Sequence, residues 1–463
     1  MPASAAALLV RRRILLAAVL ALLLVVAGAV AAFVVLRGNP GKGHLDTALK
    51  GVTVVQPSQP AHPAPKPKPK LHAKPKPAVV TDKPCWLNFG GNPQRTSSRL
   101  TLNLGLPVKP LWVRALHGYV EYPPSYCQGD LYVNTFTGRT YAINATTGKV
   151  LWMRTGQGPK PSTPAIAGDR VIVSSTSGTV TAFARSNGAK LWQLDLPDAK
   201  VESSPVVIGK TAYFGATDGR LFAVNTANGK VRWAYNTGGR INSSPSILGN
   251  KIFITTYAGS ILSLNRFNGQ RNWITYIRRD FVQYESFYAS ASTDGKRLYT
   301  ISRAGKVVAV RVSDGSVAWT HDLNTTGYST PAIANGVIYV GDFNGLIHAY
   351  RASDGTQLWQ RYIGGRILAP GVIVGPLVFF SNLETKTYGL KRSDGRVVWH
   401  VGMGKYQPGI ATDRHYYFTL NGLLVAYQGS DMLKKAAKAK KVAGAASARP
   451  ASVAKHGSKR SKR

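Results

Sequence analysis

Eight tryptophans recur along the chain at nearly constant intervals. Trp112, Trp152, Trp192, Trp233, Trp273, Trp319, Trp359 and Trp399 are separated by 40, 40, 41, 40, 46, 40 and 40 residues. A period near 40 residues indicates a repeat whose unit cannot bury its own apolar face and must stack on its neighbours. Within each unit the apolar residues alternate in short runs. A run opening near a proline (STPAIA) is followed by a second (RVIVSS, TAYFGA, VIYVGD). A glycine turn comes next, at Gly138, Gly178, Gly219, Gly259, Gly305 or Gly345. A third run leads into an Asn/Asp-Gly turn, and the fourth carries the tryptophan. Four short antiparallel strands per unit describe a propeller blade.

The blade count follows from the ends of the repeat. Residues 408–411, 415–419 and 422–427 supply three strands without a tryptophan strand, whereas 111–116 supply a tryptophan strand alone. Joining them closes an eighth blade and removes the exposed sheet edges. The expected fold is an all-β, eight-bladed propeller over residues 85–430.

Charge is distributed unevenly around this domain. The formal charge is +39, from 59 Lys+Arg against 20 Asp+Glu. Arg11–Arg13, residues 37–84 and residues 431–463 carry +3, +7 and +10, leaving +19 for the propeller. Residues 1–13 read as a cytoplasmic N-terminus. Ile14–Leu36 contains no charged residue, and as a helix it would span roughly 35 Å, enough to cross a bilayer. With the arginines on its N-terminal side, the remainder should be translocated. Cleavage as a signal peptide near Ala27-Gly28-Ala29 is the competing reading. Residues 37–84 form a Pro/Lys-rich linker, and the alternating Pro and Lys of residues 56–84 predict an extended spacer reaching on the order of 80 Å if about 25 residues extend. The tail 431–463 reads as basic and disordered. Linker and tail together suit an anionic cell-wall polymer. No lysine run is interleaved with aromatics, so specific nucleic-acid recognition is not indicated. Cys85 and Cys127 both fall in the translocated part, where oxidation is permitted, and are expected to pair.

Seven segments end in register on a tryptophan, among them AINATTGKVLW, AVNTANGKVRW and AYRASDGTQLW. Ala142, Asn144, Thr147, Gly148, Lys149 and Trp152 make up the fullest copy. This pattern resembles the tryptophan-docking motif of the pyrroloquinoline-quinone-type (PQQ-type) propeller family, over roughly residues 85–428. The opening Trp86-Leu87-Asn88-Phe89-Gly90-Gly91-Asn92-Pro93-Gln94-Arg95-Thr96 is similar to the lead-in of such domains. The resemblance implies one of two branches: quinoprotein dehydrogenases, which bind the quinone and Ca²⁺, or a non-enzymatic scaffold of the outer-membrane β-barrel assembly machine. The adjacent cysteine pair of the dehydrogenases is missing here, as is the lipidated cysteine of the scaffold lipoprotein. An anchor helix followed by a Pro-Lys spacer looks more like a surface protein of a thick-walled bacterium. The tryptophans are assigned to docking between blades.

No metalloprotease, nucleophile-elbow or phosphate-loop motif occurs. The expectation is therefore a non-enzymatic binding or scaffolding module for a protein or peptide, with no metal and no cofactor. A dehydrogenase using the quinone and Ca²⁺ is the alternative. Two candidate sites stand out. The residues three before each repeat proline, or its equivalent, are Glu121, Pro161, Glu202, Asn242, Tyr288, Tyr328, Ile367 and Lys405. They should ring the channel mouth, and the polar members, with the carboxylates, amide, phenols and ammonium converging there, are the candidate binding set. The 46-residue interval marks an insertion that concentrates Arg278, Arg279, Phe281 and Tyr284, residue types that anchor interfaces.

Overall fold

The computed structural model describes residues 53–55, 85–402, 404–420, 422–431, 434 and 438. The apolar run 14–36, the Pro/Lys run 56–84 and nearly all of the basic tail lie outside the described residues. Among the described residues, no helix is long and apolar enough to cross a membrane.

Eight antiparallel sheets form the blades. Blade 1 comprises Ser125–Cys127, Asp130–Asn134, Arg139–Asn144 and Val150–Thr155, counted from the axis outward. Blades 2 to 7 repeat this order through Val397–Val401. In blade 8, Ile410–Ala411, His415–Leu420 and Leu423–Gly429, counted from the axis outward, are completed on the outer edge by Pro107–Ala115, which pairs antiparallel with Leu423–Gly429. The closing strand begins earlier than its apolar pattern suggests, because Pro107 and Lys109 already pair with Gly429 and Gln428. The short strand Thr53–Val55 lies inside the segment expected to be a spacer. It pairs antiparallel with the outer strand Lys190–Asp195 of blade 2, as Thr53↔Asp195. A β-branched Thr-Val-Val run meeting the unpaired outer edge of a blade accounts for this departure.

The tryptophans join the blades. The indole Nε1 of Trp152 donates to Arg185 O at 2.8 Å and that of Trp192 to Thr226 O at 2.8 Å. Trp112, Trp233, Trp273, Trp319 and Trp359 donate likewise to carbonyls one blade on. The ring lies over the turn glycine of the next blade: a Cβ at Gly188 would sit 2.7 Å from Trp152, and one at Gly229 2.6 Å from Trp192. Both glycines have positive φ, so sterics and backbone conformation select the same residue. The Trp399 ring packs on Phe379 and Phe418, with centroids 5.8 and 5.6 Å away, and the positions equivalent to the docking carbonyl and glycine lie outside the described residues.

The lead-in 86–99 enters the channel and winds past the inner strands. Trp86 exchanges backbone hydrogen bonds with Tyr126 of blade 1. Ile166 N then donates to Leu87 O, Ile247 N to Pro93 O, Thr293 N to Gln94 O, Ile333 N to Thr96 O and Ile373 N to Ser97 O. These amides lie on the inner edges of the sheets, and the lead-in satisfies them one blade at a time, ending as the short strand Ser98–Arg99 that runs parallel to Val372–Val374 of blade 7. Arg95, fully buried, donates to Phe89 O at 2.7 Å, Pro245 O at 2.6 Å and Ser204 O at 3.2 Å. Burial holds its pKa down at about 9. A disulfide ties Cys85, at the start of the lead-in, to Cys127 of blade 1.

Candidate functional site: a plugged funnel and a projecting hairpin

The inner strands converge on the axis, so each can place only small side chains between its neighbours. A belt of hydroxyls results. Thr163 N donates to Ser204 Oγ, Ser204 N to Ser244 Oγ, Ser244 N to Ser290 Oγ and Ser290 N to Thr330 Oγ1, at 2.8–3.1 Å. It runs from blade 2 to blade 6 and ends where Pro370 occupies the next position. Sequence reasoning missed this belt, although a Ser or Thr before the repeat proline marks it.

Above the belt lies a small cavity of about 110 Å³. Glu121, Asn242, Tyr288 and Tyr328 line it, as their positions before the repeat proline suggest. Phe89 from the lead-in also lines it, so the lead-in closes the funnel at its base. Two ring members need correction. The sequence offers Pro370 and Pro408 as the repeat prolines of blades 7 and 8, but Val372 and Ile410 pair with Phe379 and Tyr417 as Val206 pairs with Tyr213. The equivalents of the repeat proline are therefore Gly371 and Gly409. Leu368 and Tyr406 line the funnel, while Ile367 is fully buried and bonds Asp342 O as Ile241 bonds Ala216 O. Lys405 faces an adjoining recess shared with Tyr119, Phe136, Tyr406 and Glu121, its Nζ 5.6 Å from the centre of the Tyr406 ring.

The two carboxylates differ. Glu202 accepts a hydrogen bond from Asn242 Nδ2 and faces Arg240 at 3.6 Å. Among the described residues Glu121 has no such ion pair; burial, then the charge of Glu202, pushes its pKa up to about 7. Tyr122 and Tyr288 share a hydrogen bond, and burial pushes both phenols up, so they stay protonated. Tyr288 meets Tyr257 and Tyr328 edge-on at 6.3 and 5.3 Å. Two fully buried amide oxygens, Asn242 Oδ1 and Gln407 Oε1, have no hydrogen-bond partner among the described residues, and their residues are only 3% and 6% exposed.

The insertion forms a small hairpin between the outer strand of blade 4 and the inner strand of blade 5. Arg278 and Tyr284 bridge across it, the guanidinium 5.4 Å from the phenol ring. Asp280 Oδ1 accepts the amides of Val282 and Gln283, fixing the turn. Phe281 and Val282 stand at the tip, 98% and 88% exposed. Packing of Phe281 into the blades is thereby excluded, and Phe287 is the aromatic that enters the core. Arg279 is exposed beside the tip.

Comparison with known proteins fits this architecture. The family model described as outer membrane protein assembly factor BamB matches residues 109–289 and 281–414. The BamB of Shewanella oneidensis is 29% identical over 238 residues, 48% of this chain and 58% of that relative, so the chain spans less than two thirds of its length. The structure of BamB from Moraxella catarrhalis superposes with a TM-score of 0.60 at 14% identity, covering 69% of this chain and 99% of that one. A europium-containing methanol dehydrogenase gives 0.64 at 12%, over 75% and 90%. At such identities these two likenesses are of fold. The family-model match, spanning most of the propeller in register with its docked tryptophans, establishes that the chain belongs to the BamB family of PQQ-type repeat propellers.

Proposed function

We propose that this chain is a non-enzymatic binding and scaffolding propeller that engages a protein partner through the 278–284 hairpin. The observation that carries this reading is the tip: two large apolar side chains almost wholly in water, on a turn stiffened by Asp280 and the Arg278–Tyr284 pair. A rigid apolar tip flanked by Arg is suited to a partner's pocket. The relatives' description as assembly factors supports a protein-binding role. We further propose that 14–36 anchors the chain by a single span, with the propeller on the extracytoplasmic side, and that linker and tail adhere to an anionic wall polymer. That adhesion should fall steeply with salt.

The quinone and Ca²⁺ reading meets an obstacle in the funnel. The cofactor is a polycarboxylate, and none of the side chains lining the cavity is a lysine or arginine. Ca²⁺ prefers six to eight oxygens with several carboxylates. Both oxygens of Glu202 are already engaged, and among the described residues no group of three or more His, Cys, Asp or Glu is placed to hold a metal. These residues do not fit that cofactor. The test of the partner reading is a crosslinking pull-down with the full chain, followed by titration of the captured partner with wild type and the Arg279→Ala/Phe281→Ala variant. A weakening of about 30-fold, near 2 kcal/mol, is expected with unchanged melting. Equal affinities would reject the hairpin.

A further inference from the structure

We infer that the end of blades 2 to 4 turned away from the funnel is a docking surface for a linear phosphate polymer that carries no bases. The inference extends the wall-polymer reading from the linker and tail to the folded domain and rests on it; it is independent of the hairpin.

The funnel opens at the end of the blades where the second and third strands turn, and the opposite end holds the other two turns of each blade. There blades 2 to 4 contribute residues 165–170, 184–190, 206–211, 225–232, 246–251 and 265–271. These segments hold nine Lys or Arg and one acid, Asp169. The corresponding segments of blades 5 to 7 hold seven Lys or Arg and four Asp. Lys190, Lys210, Lys230 and Arg232 are exposed, and among the described residues none of the four is in an ion pair. Arg232 donates to Lys210 O at 3.4 Å, which brings two of them together on blade 3.

The turns between the third and fourth strands show that the fold does not impose this imbalance. Each is closed by a side-chain oxygen that accepts the amide two residues on, at 2.8–3.1 Å. Asp314, Asp354 and Asp394 do so in blades 5 to 7, and Asn187, Asn228 and Asn268 in blades 2 to 4. The geometry is the same and the charge is not. An Asp in blades 2 to 4 would accept the same amide and relieve repulsion among the neighbouring cations, as Asp354 does for Arg351 at 3.1 Å. A neutral cap where the cations are densest keeps a positive field that opposes folding and attracts polyanions.

The remaining side chains narrow the ligand. Several arginines of this end are engaged within the protein: Arg170 pairs with Asp169, Arg185 donates to Gly168 O and Cys127 O, and Arg266 donates to Gly249 O. The exposed cations are therefore three ammoniums and one guanidinium. An ammonium acts as a point charge and suits phosphate oxygens in any orientation, whereas planar carboxylates are matched by guanidinium forks. Phe267 is the one large hydrophobic side chain exposed on these segments, and the Arg266 guanidinium lies 4.1 Å from its ring centre. The surface thus lacks both an apolar wedge for a bilayer and a row of rings for stacking bases. The strand Thr53–Val55 runs along blade 2 from Asp195 towards Gln193, in the direction of this end, and the run containing Lys66, Lys68 and Lys70 follows it in the chain.

The experiment titrates the full-length chain, held in uncharged detergent, with long-chain inorganic polyphosphate over a range of salt concentrations. Saturable binding that weakens with salt is expected. Lys190→Gln/Lys210→Gln/Lys230→Gln/Arg232→Gln should flatten the plot of log affinity against log salt by about 3, and a charge-matched control at the funnel end, Lys200→Gln/Arg303→Gln/Arg366→Gln/Lys386→Gln, by less than about 1. Asn187→Asp/Asn228→Asp/Asn268→Asp keeps every turn capped, so it should weaken binding at least tenfold without lowering the melting temperature. It decides the matter if the quadruple variant does not fold. Wild-type slope and affinity retained in the quadruple or the Asn→Asp variant, or an equal loss in the control, would overturn this inference and leave adhesion by the linker and tail standing. Binding abolished by the quadruple variant would uphold the surface and remove the linker and tail from the reading. No binding by the wild type would overturn both. Phosphatidylglycerol added to the detergent should not displace polyphosphate; displacement that vanishes in the quadruple variant would reassign the surface to lipid and overturn the inference.

Discussion

Reducing the Cys85–Cys127 disulfide tests how the lead-in is held. The bond closes a loop of 42 residues. Chain-entropy reasoning gives about 13 cal/mol/K for such a loop, or about 4 kcal/mol at 25 °C. Unfolding a domain of about 350 residues carries an entropy near 0.7 kcal/mol/K, so the melting temperature should fall by about 5–6 °C. The native fold should nevertheless survive reduction. The lead-in keeps its backbone bonds from Ile166, Ile247, Thr293, Ile333 and Ile373, as well as the three from Arg95. The assay is thermal unfolding with and without reductant, paired with hydrogen exchange read at those five amides. Protection should be lost only with global unfolding. An unchanged melting temperature would refute the loop argument. Fast exchange confined to the five amides in reduced, folded protein would instead show that the disulfide alone seats the plug.

Three further outcomes follow from buried groups. Lys160 is 4% exposed, and its ammonium has Thr140 Oγ1 as its hydrogen-bond partner at 3.1 Å. Burial lowers its pKa to about 8, so between pH 8 and 10.5 the unfolded chain holds a proton that the fold releases, and stability should rise across that window. Lys160→Met should stabilise the domain at pH 7 by up to about 3 kcal/mol in chemical denaturation; a loss would show that the Thr140 bond outweighs desolvation. Arg95→Met orphans three buried carbonyls and should cost about 3–5 kcal/mol, seen as early cleavage of the lead-in on limited proteolysis. Trp192 is fully buried whereas Trp359 is half-buried, so Trp192→Ala should cost about 3–5 kcal/mol and Trp359→Ala clearly less, by denaturant unfolding.

The ring of blades was legible because its causes are local and repeated. Trp152 docks over Gly188 of the next blade for the same steric reason that Trp192 docks over Gly229. Where a cause is not repeated, sequence reasoning slipped. Pro370 and Pro408 mimic the repeat proline one position early, and a slip of one in an extended strand exchanges the residue facing the channel for the one facing the neighbouring blade. Hence Ile367 stood in for Leu368 and Lys405 for Tyr406. The insertion was visible as a broken period, but only its fold shows that Phe281 points to water while Phe287 turns inward.

The lead-in escaped for a different reason, and that reason bears on specificity. It pairs with each blade through about one residue, so it carries no periodicity of its own. Its path requires positive φ at Gly90, Gly91, Arg95 and Ser97, where short-range propensity gives little guidance. A Cβ at Gly91 would meet the Trp86 ring at 2.9 Å, and one at Gly90 the Arg95 backbone at 2.7 Å, so the turn closes only with glycine at both positions. This turn presents Phe89 to the funnel, while Arg95 behind it reaches the inner strands of blades 3 and 4. A propeller's repeated strands supply its walls, but the residues that distinguish this funnel — Phe89, Glu121, Asn242, Gln407 — are those in which one blade differs from the next, or which belong to no blade. Ligand preference can therefore change through the lead-in and the residues before each inner strand while the docked tryptophans keep the ring intact.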